Sequence, residues 1–393
     1  MVVKKLQGDD PRDLYAFVDS VHRNDTKKRN SRIILHLDCV DLDAFDASTQ
    51  AARADENLAL VRVITTARAL RRHFDIRDLA EGDWLAIRVR KRAGMPRAWM
   101  LRAEADYQMG PSTNLVSMSR VPDGNRAHAE LVNACRFMQS PVNTTPLAAA
   151  FMKHAVRFTS KMDIIVLDVG QASSAVIRSN GKPIGFFDVG APLWFNQKSM
   201  PSGFLPPAVR NGFVMLSHWD FDHIDQARRF PQLLNLDWYA PDQPVGPNTV
   251  KLQEKIGGRL TFVHGSASFR SVLSIAPGTS IDPKDRNGTG YAMQVVHGNE
   301  TAVLLGDSDY SFVDPALLVG ATAITIPHHG GAGSTPPAPA GGRALAVASY
   351  GNPNSYKHPN EPHLSAHELV GWTIARTANH PYSGVKRGNR RLI

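Results

Sequence analysis

Beyond residue 160 the apolar residues fall in short runs, each closed by a turn signal. MDIIVLDVG (162–170), SSAVIRS (173–179) and PIGFFDVG (183–190) read as strands. Asn180-Gly181, between the last two, is the dipeptide that a tight hairpin turn favours. GFVMLSH (212–218) is a further apolar strand, and DQARRFPQLLN (225–235) after it is partly helical in pattern. VKLQEKIGG (250–258) predicts a helix ended by glycine. RLTFVHG, SVLSIAPG, YAMQVVHG, TAVLLGD, ATAITIPHHG and ALAVASYG follow as strands, and SAHELVGWTIAR (365–376) as a late helix. A long series of strands with a few helices between them predicts two sheets with helices on their outer faces.

The first 160 residues read differently. ENLALVRVITTARALRRHF (56–74) has helical spacing through Leu60, Val63, Ile64, Ala67 and Leu70. DWLAIRVRKRAGMPRAWMLRAEADY (83–107) reads as a β-hairpin turning near Ala93–Pro96. In its first strand Leu85, Ile87 and Val89 alternate with Trp84, Arg88 and Arg90, so one face is basic with an aromatic. Such a face is either a nucleic-acid platform or a solvated strand surface. The division is thus a basic α+β domain over residues 1–160 and a second domain over 161–393.

Composition narrows the class. Hydrophobic content of 42% and charged content of 21% describe a globular chain with a sizeable core. No uninterrupted apolar run is long enough for a membrane helix, and the N-terminus has no apolar signal core. Two cysteines, Cys39 and Cys135, cannot build a disulfide framework or a cysteine zinc site. A cytoplasmic location is the expectation. The formal charge of +9, most of it contributed before residue 160, favours polyanionic partners such as nucleic acid.

The chemistry concentrates where strands end. LSHWDFDHI (216–224) places His218, Asp220, Asp222 and His223 within six residues after an apolar strand. Divalent metals are the physical reason to gather such N and O donors. Asp307 follows TAVLLG, His328 and His329 follow ATAITIP, and His358 follows ALAVASYG at a short remove. Loops at one end of a rigid sheet are the usual means of converging distant residues. Asp168 and Asp188 each precede Val-Gly at a strand end, where they would hold loops or orient metal-bound histidines. His264 and His297 precede glycines in turns and read as structural; Tyr356 and Lys357 could meet a phosphate or solvent.

The series LDVGQ, FFDVG, LSHxDxDHI, LLGD, IPHHGG and SYGxxNxYxHP resembles the metallo-β-lactamase fold, in the branch of the ComEC competence proteins. The resemblance covers residues 162–390 and implies an αββα sandwich, an α/β fold preceded here by a smaller N-terminal domain. It implies two divalent metal ions, zinc or manganese. His218 and Asp220 would lie at one, Asp222 and His223 at the other, and Asp307 would bridge them. His328 or His329 would complete the second site or contact substrate, with Asp222 and His358 in catalytic roles. Where most of the superfamily has a further histidine, Asn287 stands, as in the ComEC-like branch. The chain departs from the branch in DVGQASSA for DVGQGDA, in Asp225-Gln226 after the ligand run, and in Gly330-Gly331 after His329.

These readings point to a metal-dependent phosphodiesterase, a nuclease hydrolysing DNA or RNA in defence or nucleic-acid processing. The N-terminal domain would bind nucleic acid or a protein partner. The alternatives are a small-molecule phosphodiesterase, acting on a cyclic nucleotide or phosphorylcholine-like ester, and a metal-binding interaction module. A basic groove favours the first, and a closed pocket the second.

Overall fold

The computed structural model describes residues 11–23, 31–136, 144–378 and 386–393. The chain forms two compact units: Met1–Met138 with Pro244–Lys255, and Gln139–Gln243 with Ile256–Ile393.

In the first unit, β1 (Arg12–Arg23), β2 (Arg32–Asp41), β3 (Leu58–Thr66), β4 (Trp84–Arg90), β5 (Arg97–Arg102) and β6 (Thr113–Arg120) close into a barrel. Its strand order is β1-β2-β3-β5-β6-β4. The side-chain period of two fills the interior: Leu14, Ala16 and Val18 from β1, Ile33, Leu35 and Leu37 from β2, and Leu85, Ile87 and Val89 from β4 share one buried cluster.

Two expectations for this unit are corrected. Residues 56–74 are not one helix: β3 runs to Thr66, whose Oγ accepts from the backbone of Ala69 and opens a helix at Ala67–Phe74. Val61, Val63, Ile64, Thr65 and Thr66 are β-branched and fit a pleated surface, and that preference wins over the helical spacing. Nor is 83–107 a hairpin. β6 lies between β4 and β5 and pairs antiparallel with both, while β4 also pairs with β1. Trp84 is buried edge-on against Phe17, so the exposed face carries Arg88 and Arg90 without it.

The second unit is built on two mixed sheets. The first comprises β7 (Thr145–Pro146), β8 (Met162–Val166), β9 (Ser174–Ser179), β10 (Lys182–Val189), β11 (Phe213–Met215), β12 (Asp237–Pro241) and β13 (Leu260–His264), with β21 (Arg390–Arg391) at one edge. The other comprises β14 (Ala267–Phe269), β15 (Leu273–Pro277), β16 (Tyr291–His297), β17 (Glu300–Leu304), β18 (Ala323–Thr325), β19 (Leu345–Ala348) and β20 (Thr373–Arg376). Each sheet is antiparallel on one side and parallel on the other, the change falling at β10 and at β17. Ile164, Ile177, Phe187 and Met215 from the first sheet meet Ile275, Met293, Leu304 and Val347 from the second in one core. Leu317, Leu364 and Trp372 pack on the other face of the second sheet.

The boundary falls at 138/139 instead of 160. The helix Leu147–Ala155 belongs to the second unit because Phe151 is fully buried among Phe158, Phe213, Tyr239 and Phe269. The late helix spans Glu361–Leu369 only; after Gly371, at φ +107°, residues Thr373–Arg376 form β20 beside β19. Asn180 and Gly181, at φ +52° and +73°, make the expected hairpin turn between β9 and β10. No helix among the described residues is long and apolar enough to cross a membrane.

Candidate metal centre

The site is assembled at the carboxyl ends of β10, β11, β17, β18 and β19, where the parallel halves of the sheets run out. β11 is fully buried, so its end is a fixed platform. A short helix, Phe221–Ile224, turns the chain back and brings the His218 and His223 rings to 4.1 Å. Asp188 ends β10 in the left-handed region, at φ +58°. Its carboxylate accepts from the Ser217 backbone N–H at 2.7 Å and from the Ser217 hydroxyl at 2.8 Å. Asp307 arrives after Gly306, whose φ of +58° and closeness to Ser217 leave no space for a side chain.

Each inner histidine is held by one ring nitrogen and offers the other. His223 donates from Nδ1 to Asp188 at 2.8 Å, His218 Nδ1 meets the Ser217 hydroxyl at 2.9 Å, and His329 donates from Nδ1 to the Ser349 carbonyl at 3.0 Å. The Nε2 atoms of all three are buried with no hydrogen-bond partner. They face carboxylates: His223 lies 3.2 Å from Asp307, and His329 lies 3.2 Å from Asp222 and 3.7 Å from Asp307. Donor atoms of His218, His223 and Asp307 lie within 4.8 Å of one another, as do those of Asp222, His223 and His329.

The predicted residues therefore sort themselves. His218, Asp222, His223, Asp307 and His329 converge. Burial distinguishes His328 from His329: His329 faces inward, whereas His328 is a third exposed and touches Asp307 through Nδ1 at 3.2 Å. Both adopt left-handed backbone, at φ +51° and +55°, which is how adjacent side chains serve opposite sides of one turn. His358 stacks at 6.1 Å from His329 and lies 5.5 Å from His328. Gln171 Nε2 donates to its Nδ1 at 3.1 Å, an orientation fixed by the Gly351 N–H on Gln171 Oε1. That leaves Nε2 as the proton-bearing nitrogen of the neutral ring.

Asp220 lies beside His218, 3.5 Å from its Nε2. It stands outside both groups of converging donors. Its Oδ1 lies 2.8 Å from the guanidinium of Arg286, a residue 1% exposed, while its other oxygen is 3.5 Å from His218. No pattern in the sequence marks Arg286, which adjoins Asn287. Its segment is clamped by Gln243, which donates to the Arg286 carbonyl and to Thr289 at 2.8 Å.

Charge follows the geometry. Burial would raise the Asp307 carboxyl, but His329, His223 and His328 outweigh it and hold it well below the usual range. Burial likewise opposes ionisation of Asp222, which His329 reverses, and of Asp220, which Arg286 and His218 reverse. Burial would lower His223, but Asp307 and Asp188 raise it well above an ordinary imidazole; Asp307 and Asp222 raise His329 in the same way. Three buried imidazole nitrogens aimed at anionic carboxylates fit a divalent cation of borderline hardness.

Other single residues take structural places. Asp168 receives two hydrogen bonds from Arg387 at 2.7 Å and holds the C-terminal segment. His264 bonds Thr144, and His297 bonds the Met162 carbonyl. The Tyr356 ring packs 5.7 Å from His358. A cavity of about 190 Å³ adjoins the centre, lined by Asn287, Asp307, Asp309, Tyr310, His328 and His363 among others.

No protein family profile matches the chain, and no curated protein matches it. Solved structures similar to it include the metallo-beta-lactamase fold protein YhfI from Bacillus subtilis, at 14% identity over 59% of this chain and 99% of that one, with a TM-score of 0.37. Tm1679, a metal-dependent hydrolase of the beta-lactamase superfamily, gives 11% identity over 59% and 98%, with a TM-score of 0.34. A CmlA beta-hydroxylase mutant gives 13% identity over 91% and 73%, with a TM-score of 0.36. Likenesses of this size carry no functional weight, which rests on the side chains themselves.

Proposed function

We propose that the second unit is a metal-dependent hydrolase of the metallo-β-lactamase type, and that its substrates are phosphodiesters, with DNA or RNA first among them. The observation that carries the reading is the set of three buried Nε2 atoms of His218, His223 and His329, none in a hydrogen bond, with those of His223 and His329 turned toward Asp307 and Asp222 and that of His218 toward Asp220. His223, His329, Asp222 and Asp307 would hold the cation, zinc or manganese. A cation so held supplies Lewis acidity toward a phosphoryl oxygen and acidifies a water. Asp188 keeps His223 in the tautomer that presents Nε2. His358, with its proton on Nε2, is placed to donate to a leaving oxygen. Both cysteines are buried, and burial raises their thiols well above the ordinary range, which argues against a thiol nucleophile.

Polyanionic substrates accord with the net charge of +9 and with Arg88, Arg90, Lys91, Arg92 and Arg97, all exposed on or beside β4 and β5 of the first unit. In this reading that unit binds nucleic acid. The cavity of about 190 Å³ beside Asp307 supports a second reading, a small-molecule phosphodiesterase whose ester fits within it.

The test is to incubate the purified protein with single- and double-stranded DNA, RNA and bis-p-nitrophenyl phosphate, with Mn²⁺ or Zn²⁺, beside Asp222→Ala. Metal-dependent cleavage of a polymer, lost in the variant, is expected. Cleavage of the small ester alone would replace the nuclease reading with the second. Bound metal with no cleavage of any substrate would leave a metal-binding interaction module.

A further inference from the structure

The resemblance implies a pair of metal ions; the side chains argue for one. The two groups of converging donors share His223. Its Nδ1 is engaged with Asp188, so only the Nε2 lone pair is on offer, and one lone pair serves one cation. The two groups are thus rival claims on the same atom. A second ion would have to depend on His218 and Asp220, and Asp220 is already matched by a fixed positive charge. The Arg286 guanidinium lies 2.8 Å from its Oδ1, buried and held in place by the Gln243 clamp on its backbone.

We propose that the centre binds a single divalent cation tightly, on Asp222, His223 and His329 with Asp307 beside them, and that Arg286 supplies through Asp220 the positive charge that a second ion would otherwise bring. This rests on the reading of the cluster as a metal centre. Charge decides between the rival groups. Asp220 Oδ2 is 3.5 Å from His218 Nε2, so a dication on the His218 side would stand close to the guanidinium and be repelled. On the other side, Asp307 lies 3.2 Å from His223 and 3.7 Å from His329, adding an anion where the cation would sit. An arginine cannot be deprotonated near neutral pH, so its charge is permanent and independent of metal supply. Arg286 is thereby a positioning residue: it holds Asp220 away from the cation and fixes a positive charge at one flank of the site.

The full-length protein, stripped of metal and dialysed against Mn²⁺, decides the matter by elemental analysis, titration calorimetry and electron paramagnetic resonance. One equivalent with the spectrum of an isolated Mn²⁺ is expected. Asp220→Asn should shift the dissociation constant by less than about threefold, whereas Asp222→Ala should weaken it at least about tenfold. Arg286→Gln should admit a second equivalent with a spin-coupled spectrum. If that variant does not fold, the wild-type stoichiometry and Asp220→Asn still decide. Two equivalents of similar affinity in the wild type would overturn the proposal, as would a tenfold weakening in Asp220→Asn. Both results would leave the hydrolase reading standing. No bound cation at all would remove the metal centre itself.

Discussion

Asp188 and His223 form a fully buried carboxylate–imidazole pair, with Nδ1 and Oδ2 2.8 Å apart and both side chains closed to solvent. The same carboxylate ties down Ser217, so one residue on β10 sets the register of the whole ligand turn. Asp188→Asn keeps the shape but offers only one acceptor oxygen where the aspartate accepts through both. Metal affinity should fall about 10- to 100-fold, read by calorimetry. An unchanged dissociation constant would show that His223 is oriented by packing alone.

The two adjacent histidines should separate in their effects. His329→Ala removes an inward nitrogen and should abolish stable metal uptake. His328→Ala, at the exposed side of Asp307, should retain the metal and change the Michaelis constant. Elemental analysis of both variants beside steady-state kinetics checks this. Equal loss of metal in the two would make the pair a joint ligand.

Cation binding should release protons. In the metal-free protein His223 and His329 hold their protons to higher pH than an ordinary histidine, because Asp307, Asp188 and Asp222 outweigh burial. A metal must displace those protons, so apparent affinity should climb with pH through and beyond the ordinary imidazole range. Calorimetry in buffers of different ionisation enthalpy counts the protons, and a buffer-independent heat would refute the assignment.

Acid should destabilise the second unit through two other histidines. Burial lowers His154 to about 4 despite Asp237, and lowers His367 to about 4 despite the bond from its ring to the His363 carbonyl. Their depressed values mean that the unfolded chain takes up protons first. The stability they contribute is complete above about pH 6.5 and disappears as pH falls toward 4. Thermal melts across that window should show the decline. His367→Gln should flatten it, and a decline of unchanged size in that variant would place its origin elsewhere.

The helix Leu147–Ala155 makes the unit boundary testable. Phe151→Ala should lose about 3–5 kcal/mol, measured by denaturant unfolding, because its ring fills the core beneath the first sheet. A loss below 1 kcal/mol would mean that the helix is dispensable and that the boundary near 160 serves after all.

Much of the candidate centre could be read from the chain because each converging residue follows an apolar strand in sequence, and the strand supplies the rigid arm. His218, Asp222, His223, Asp307 and His329 needed no knowledge of long-range pairing. Arg286 did. Nothing near it in sequence marks it, and its partner Asp220 lies 66 positions earlier (286 − 220), joined to it only when β16 docks beside the ligand turn. The barrel was obscured for a related reason. Leu60, Val63 and Leu70 satisfy helical spacing, yet only the antiparallel pairing of β2 with β3 gives Val61 and Val63 a common interior. Likewise β6 inserts between β4 and β5, so the nearest strands in sequence are not neighbours in the sheet.

Asp38 on β2 carries a consequence for how the chain is made. Buried within the first unit, its carboxylate accepts from the backbone N–H groups of Asn248 and Thr249, at the start of the helix Pro247–Ile256. A chain emerging from the ribosome exposes Asp38 long before those donors exist. The barrel must wait for those two hydrogen bonds until β8 to β12 of the other unit have already been synthesised. Translation speed across residues 139–255, and any factor that shelters the nascent chain there, should therefore govern the yield of the first unit as much as that of the second.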